Sequence, residues 1–204
     1  MILNRKERTM HKITVAIVYA TRYGHTERLA QAAAQALEEQ HVQVLLHTTI
    51  HAANHLEELD EADAILFGTP TYMGGMASEM RLFCEKTVKR WHSRAWQDKI
   101  AGGFTNSANF YGDKTIALLG LMTTAMQLGM IWVGIDDLPA ANVPESMDSL
   151  YGPTPTAWNR NGASMGVMAS SFQVDSSLAP PEGDLQTMRN YALRIAGIAR
   201  RFAR

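Results

Sequence analysis

The chain has 204 residues, of which 46% are hydrophobic and 19% charged, and its formal net charge at pH 7 is −1. This length and balance predict one globular domain with a single core. The near-zero charge argues against a protein that binds nucleic acid through a basic surface, and against a small electron carrier whose surface carries one sign of charge.

The apolar stretches all fall well short of the about 20 residues that a transmembrane helix needs, so no membrane span is expected. Residues 1–11 lack the apolar segment of a signal peptide and are expected to form a poorly ordered extension, with Met10 as a possible natural start. The remaining residues, 12–204, are expected to form the single domain. Cys84 is the one cysteine, which excludes an internal disulfide, and we expect a buried, inert thiol in a cytoplasmic protein.

Strands and helices alternate along the chain. Continuous apolar, β-branched runs predict strands buried on both faces over residues 13–19, 42–46, 64–67, 99–105 and 131–133. Helical patterns cover residues 27–40, 54–60, 77–91, 114–128 and 182–202. The alternation predicts an α/β fold with a doubly wound parallel sheet and helices on both faces. Residues 136–181 are rich in Pro, Gly, Ser and Asn and are expected to form a long ordered loop with a function.

A polar turn directly follows the first predicted strand. It consists of Thr21, Arg22, Tyr23, Gly24, His25 and Thr26. The hydroxyls, the permissive glycine and the helix N-terminus that follows are suited to an anion. The absence of both Gly-Lys-Thr/Ser and G-x-G-x-x-G favours a monophosphate over a nucleoside triphosphate or a dinucleotide. His25 either donates to that phosphate, meets a substrate, or is simply exposed.

Two further turns follow the third and fourth predicted strands. The second turn contains Thr69, Pro70, Thr71, Tyr72, Met73, Gly74 and Gly75, and the third contains Thr105, Asn106, Ser107, Ala108, Asn109, Phe110, Tyr111 and Gly112. Ligands of open parallel sheets bind at the carboxyl ends of strands, so we expect the three turns to converge there. Tyr72 or Met73 could lie beside a flat ring, and the amides of the third turn could bond its polar edge; each turn alone would also suit an ordinary connecting loop.

Other kinds of site have little support in the sequence. The seven histidines are dispersed, and His47 and His51 flank a strand end rather than share a helix face, so no metal site is expected. No G-x-S-x-G nucleophile motif is present. Trp91, at the end of a predicted helix, either walls a pocket for a flat substrate or packs against the core.

Four segments together resemble one known family. They are YATRYGHTERLA, FGTPTYMGGMASEMRLFCEKT, RWHSRAWQDKIAGGFTNSAN and TTAMQLGM. In this order and spacing they resemble the WrbA-type NAD(P)H:quinone oxidoreductases of the flavodoxin-like superfamily, over roughly residues 12–133. The resemblance implies a five-stranded parallel sheet in the order 2-1-3-4-5, non-covalent FMN, and a homo-oligomer, either a dimer or a tetramer built from dimers. It also implies two-electron reduction of quinones by NADH or NADPH in a ping-pong cycle, with hydride transfer through flavin N5.

The resemblance also assigns roles by position. It places residues 21–26 on the FMN phosphate, 70–75 along the isoalloxazine ring, and 105–109 on the ribityl and pyrimidine side. It places Tyr23 at the nicotinamide and Trp91 at the quinone. The third loop is shorter than in the family and adds Phe110 and Tyr111, and Leu128 stands where a histidine is common.

Alternatives remain open at this point. Tyr23, His25 or Tyr111 could donate a proton to the reduced quinone. The same scaffold could serve a flavodoxin-type electron carrier, a reductase of FMN, azo or nitro compounds, or a protein that keeps the fold only for assembly.

Overall fold

The computed structural model describes residues 12–142, 144, 150 and 152–203. The expectation of a poorly ordered segment over residues 1–11 lies outside these. The strands are β1 Thr14–Tyr19, β2 Gln43–Thr48, β3 Ala64–Tyr72, β4 Gly75–Met76, β5 Ile100–Ser107, β6 Ile131–Trp132 and β7 Val167–Ser170. The helices are α1 His25–Glu39, α2 Thr49–Ala52, α3 Ser78–Lys86, α4 Val88–Ser93, α5 Lys114–Gln127 and α6 Glu182–Phe202, and 3-10 turns cover Leu56–Glu61 and Ala140–Asn142.

The sheet has the order β2-β1-β3-β5-β6, with parallel pairing throughout this path. These are the five predicted strands in the predicted order, so the flavodoxin-like fold is confirmed. Two short strands add to it: β4 pairs antiparallel with β3, and β7 pairs parallel with β5. Strands β6 and β7 pair with successive parts of β5. Strand β6 pairs with Ile100 and Ala101, and β7 pairs further along, with Phe104 to Ser107.

Helices cover both faces of the sheet. Alternate residues of β1 point to opposite sides: Val15 and Ile17 pack in one core with residues of α1 and α6, while Ala16 and Val18 pack in the other with residues of α3 and α5. A strand that is buried on both faces cannot alternate apolar and polar residues, which explains the continuous apolar run in its sequence. No helix in the described part of the chain is long and apolar enough to cross a membrane.

Two helical predictions were wrong in detail. The helix predicted over residues 77–91 is interrupted, because Thr87 donates its hydroxyl to the carbonyl of Cys84 at 2.6 Å and tightens the backbone between α3 and α4. The helix predicted over 54–60 is a 3-10 turn that begins at Leu56, and α2 precedes it, started by Thr48, whose Oγ1 accepts from the amide of His51.

The segment 136–181 contains β7, which the sequence did not reveal. A four-residue strand with the sequence VMAS has too few residues to show a period, and its partner β5 lies about sixty residues earlier in the chain. Pairing with β5 brings the end of this long segment back to the carboxyl edge of the sheet.

Candidate functional site

A cavity of about 700 Å³ lies at the carboxyl ends of β1, β3, β5 and β7. Its lining includes residues of all three predicted turns, so the expected convergence is found. These residues are Thr21, Arg22, Tyr23, His25, Thr26, Pro70, Thr71, Tyr72, Asn106, Ser107 and Ala108. The segment after β7 supplies the rest: Ser171, Gln173, Val174, Asp175 and Ser176.

The turn after β1 has the geometry of an anion site. Gly24 adopts a φ of 83°, and its amide donates to Oγ1 of Thr21 at 3.1 Å. Helix α1 starts at the next residue, and the first-turn amides of a helix have no carbonyl partners within it. Thr26, 1% exposed, lies in that first turn and lines the cavity. Negative charge is therefore favoured at this end of the cavity.

Arg22 supplies little of that attraction, although it lines the cavity. Its guanidinium donates to both carboxylate oxygens of Glu79, at 3.0 and 3.2 Å, and lies 4.9 Å from the centre of the Tyr72 ring. The hydrogen bond from Arg22 holds the pKa of the Glu79 carboxyl below its usual value, so Glu79 stays ionised and keeps the arginine engaged. Hydroxyls and backbone amides remain as the donors for an anion.

The segment after β7 forms a wall that sequence reasoning missed. Nε2 of His25 lies 2.8 Å from the carbonyl of Val174, and since a carbonyl only accepts, Nε2 is the donor. Arg28 donates to the carbonyls of Ser176 and Ala179. The sequence predicted a function for residues 136–181, but no signal in it identified the residues that would reach the turn.

The residues of the second turn lie in two places, some at the cavity and others at the tip of the β3–β4 hairpin. Pro70, Thr71 and Tyr72 belong to β3 and line the cavity. Met73 and Gly74, with φ of 47° and 78°, form the two-residue tip between β3 and β4. Met73, Gly74 and Gly75 are not among the described residues that line the cavity, so of the two ring-side candidates only Tyr72 is placed there.

Asn106, in the third turn, carries an unpaired buried acceptor. Its side chain is 4% exposed and donates from Nδ2 to Oγ of Ser171 at 3.2 Å. Ser171 in turn donates to the carbonyl of Ser107, which fixes the direction of this chain of bonds. Oδ1 of Asn106 has no hydrogen-bond partner among the described residues. A buried acceptor of this kind favours a ligand that brings a donor.

Of the residues predicted to bind from the third turn, Thr105 and Asn109 are not among the described residues that line the cavity. Thr105 is fully buried and its Oγ1 lies 2.8 Å from that of Thr71, which ties β5 to β3. The carbonyl of Asn109 accepts from the buried ammonium of Lys114 at 2.6 Å. Burial lowers the pKa of Lys114 to about 8.

Tyr23, His25 and Tyr111 are the three predicted candidates for a proton donor. Tyr23 and His25 line the cavity, and Tyr23 is 72% exposed. Tyr111 is equally exposed but is not among the described lining residues. Its neighbour Phe110 packs edge-on against Phe172, with ring centres 5.1 Å apart.

Trp91 lies in a second, smaller cavity. This space of about 250 Å³ is also lined by Cys84, Thr124 and Leu128, and it shares no lining residue with the first. Burial raises the pKa of the Cys84 thiol to about 11, so the thiol stays protonated and unreactive at neutral pH. The proposed contact of Trp91 with a quinone stays a prediction.

The view that the histidines are dispersed was wrong for one group. His47 and His51 lie with Glu58 so that one ligand atom of each falls within 4.8 Å of the others. The sequence did not indicate this grouping, because it forms only when the chain turns back after β2 and the 3-10 turn brings Glu58 beside both rings.

Comparison with known proteins agrees with the fold. The Flavodoxin domain family matches residues 16–105. Flavodoxin FldP of Pseudomonas aeruginosa is 40% identical over 182 residues, covering 89% of this chain and 94% of that protein. An NAD(P)H dehydrogenase (quinone) of Sinorhizobium fredii is 30% identical over 208 residues, covering 93% and 98%.

A solved structure gives the same result. The flavodoxin, WrbA-like protein from Agrobacterium tumefaciens superposes with a TM-score of 0.68 at 34% identity, covering 94% of this chain and 99% of that one. The chain therefore belongs to the flavodoxin-like family that contains FldP and the WrbA-type NAD(P)H dehydrogenases (quinone).

Proposed function

We propose that the cavity binds FMN and that the protein reduces quinones in two-electron steps with NADH or NADPH as the donor. Relatives named NAD(P)H dehydrogenase (quinone) match over 93% of this chain at 30–31% identity. The observation that carries the proposal is the cavity itself, with a helix N-terminus at one end and Asn106, whose buried Oδ1 is unpaired, among its lining residues.

The residues present fit FMN. A terminal phosphate suits the amides of the α1 N-terminus and the hydroxyls of Thr21 and Thr26. A flavin ring brings N–H and C=O groups along one polar edge, and Oδ1 of Asn106 would accept from such an N–H. A volume of about 700 Å³ lies within the range of cofactor pockets.

Bound FMN would supply the hydride chemistry between the nicotinamide and the quinone, and the protein would supply position. Tyr72, held by the Arg22 guanidinium at its face, presents a flat wall of fixed orientation. Tyr23, exposed at the mouth, can stack on an incoming nicotinamide or quinone. His25 already donates its Nε2 proton to Val174, which leaves the Tyr23 hydroxyl or solvent as the source of a proton for the quinone.

A flavodoxin-type electron carrier is the second candidate. The observation that favours it is the 40% identity to a protein named flavodoxin, which is higher than the identity to the quinone dehydrogenases. Reduction of azo or nitro compounds on the same scaffold would use the same cavity, since those substrates are also flat.

Steady-state kinetics separate these functions. Purified protein should oxidise NADH or NADPH with benzoquinone as the acceptor, and removal of FMN should abolish the reaction until FMN is added back. No turnover with either nucleotide, in protein that a one-electron redox protein still reduces, would support the carrier. Bound FMN itself is tested by the visible absorption spectrum.

We also propose that the chain assembles as a homo-oligomer, which light scattering would measure.

A further inference from the structure

Three histidines and a glutamate form a compact cluster after the edge strand β2. His47 is the penultimate residue of β2, His51 lies in α2, His55 directly precedes the 3-10 turn, and Glu58 lies within that turn. The rings of His47 and His51 stack with centres 4.5 Å apart, and those of His51 and His55 with centres 4.4 Å apart, each pair at 23°. The turn between strand and helix thus places three imidazoles in one row.

Two of these rings converge on one carboxylate oxygen. Nε2 of His47 and Nε2 of His51 each lie 3.1 Å from Oε2 of Glu58. Ligand atoms about 2.0–2.1 Å from a tetrahedral zinc ion are about 3.4 Å from one another. The two nitrogen-to-oxygen distances are therefore close to the spacing of ligands on one ion, and all three ligand atoms lie within 4.8 Å of one another.

One ring nitrogen of the cluster, Nε2 of His47, is left without a hydrogen bond in the described part of the chain. His51 and Glu58 are hydrogen-bonded through Nε2 and Oε2. Nε2 of His47 is buried and has no hydrogen-bond partner among the described residues, although Oε2 of Glu58 is close. A single cation would satisfy both imidazole nitrogens and the carboxylate together, which a proton shared by one pair does not do.

The cluster is also accessible. The side chain of His47 is only 17% exposed, but those of His51 and Glu58 are 43% and 39% exposed. An ion can therefore enter from solvent and keep a water molecule as a further ligand. None of these residues is among the described residues that line the 700 Å³ cavity, so such an ion would be independent of the cofactor site.

We propose that His47, His51 and Glu58 bind one divalent transition-metal ion of the zinc class, with water or His55 completing the shell. Two imidazoles and one carboxylate suit Zn²⁺, Ni²⁺, Cu²⁺ or Fe²⁺, whereas Ca²⁺ and Mg²⁺ prefer oxygen ligands alone. The ion would fasten the end of β2 to α2 and to the 3-10 turn, and so would stabilise the edge of the sheet.

Calorimetric titration with ZnCl2 tests the proposal, using the whole protein without a histidine tag after treatment with EDTA. One Zn²⁺ should bind per chain and raise the Tm. His47→Gln, His51→Gln and Glu58→Gln should each weaken binding by at least about tenfold, the loss typical of removing a direct ligand or its partner. His92→Gln, which alters an exposed histidine of α4, is the matched control and should leave both affinity and Tm shift unchanged.

Circular dichroism of each variant guards against a simple loss of fold, and Glu58→Gln, the most conservative change, is informative even if His47→Gln does not fold. His55→Gln should weaken binding less than His51→Gln does. The proposal is overturned if Zn²⁺ shows no saturable binding, or if the His51→Gln, Glu58→Gln double variant binds as tightly as the wild type. A loss of Zn²⁺ affinity in His92→Gln equal to that in His51→Gln would also overturn it, because Zn²⁺ would then bind at several places on the surface.

Discussion

Asn106, in β5, donates from Nδ2 to Oγ of Ser171, the residue that follows β7, at 3.2 Å. The hydroxyl of Ser171 donates a hydrogen bond to the carbonyl of Ser107. Its oxygen therefore accepts from Nδ2 of Asn106, and Oδ1 of Asn106 remains an acceptor. The polarity of this wall of the cavity is thus determined by protein groups alone. Oδ1 of Asn106, a residue that lines the cavity, is left as an acceptor without a donor among the described residues.

Asn106→Ala should therefore weaken FMN binding. The loss of one buried acceptor, worth about 1–1.5 kcal/mol, corresponds to a rise in Kd of about tenfold. Quenching of flavin fluorescence on titration of the apoprotein measures the effect. Asn54→Ala, at an exposed asparagine whose side chain donates to the carbonyl of Ile50 and accepts from the ammonium of Lys86, is the control and should bind FMN as the wild type does. Equal affinities for both variants would show that Asn106 does not contact the flavin.

Gly24→Ala should reduce both stability and FMN affinity. The residue has a φ of 83°, and an added Cβ would lie 2.8 Å from Oγ of Ser176. We expect a loss of about 1 kcal/mol or more in the free energy of unfolding, measured with urea. Gly197→Ala is the matched control, because Gly197 lies within α6 with no atom within 4 Å of a built Cβ, and alanine there should stabilise by about 0.5–1 kcal/mol. A change of the same sign in the free energy of unfolding of both variants would contradict this prediction.

Tyr23→Ala should impair the reaction without removing the cofactor. The loss of a stacking ring, worth about 0.5–1.5 kcal/mol, should raise the KM for the nucleotide or the quinone several-fold, up to about tenfold. Tyr111→Ala is a close control, since both tyrosines are 72% exposed and only Tyr23 lines the cavity. Kinetics in which the two variants are equally impaired, or equally active, would reject the assignment of Tyr23.

Asp184 should make stability depend on pH. Burial raises its pKa from 3.8 to about 6, while its Oδ2 accepts from the amide of Ser170 at 2.9 Å. Between these values the folded state holds more protons at Asp184 than the unfolded state, so the contribution of Asp184 to stability is greatest below about pH 4 and falls as the pH rises through about 6. A shift of this size corresponds to on the order of 2–3 kcal/mol.

Asp184→Asn should remove this dependence while keeping the acceptor for Ser170. The unfolding free energy of the wild type, relative to that of the variant, should decline as the pH rises from about 4 to 6.5, in urea titrations of the apoprotein. Parallel curves for the two proteins would show that Asp184 has the same pKa in both states.

Local sequence determined much of this molecule. The continuous apolar run of β1 requires burial on both faces, and a glycine-containing polar turn followed at once by a helix can form an anion site without help from distant residues. The order of the five strands followed from the resemblance, and the structure has the same order. Trp91 and the residues from Met73 to Gly75 are not among the described residues that line the cavity, and their predicted contacts with flavin or quinone stay predictions.

Tertiary structure decided what depends on pairing between distant segments. Strand β7 is too short to show a pattern, yet its pairing with β5 brings the segment that contains Ser171 and Ser176 to the cavity, which both residues line. Likewise, Glu58 meets His47 only because the chain reverses after β2. The sequence by itself determined which strands are buried and where the anion turn begins. Only the folded chain determined what surrounds that turn and which histidines meet, because loops close at positions set by long-range packing and not by local propensity.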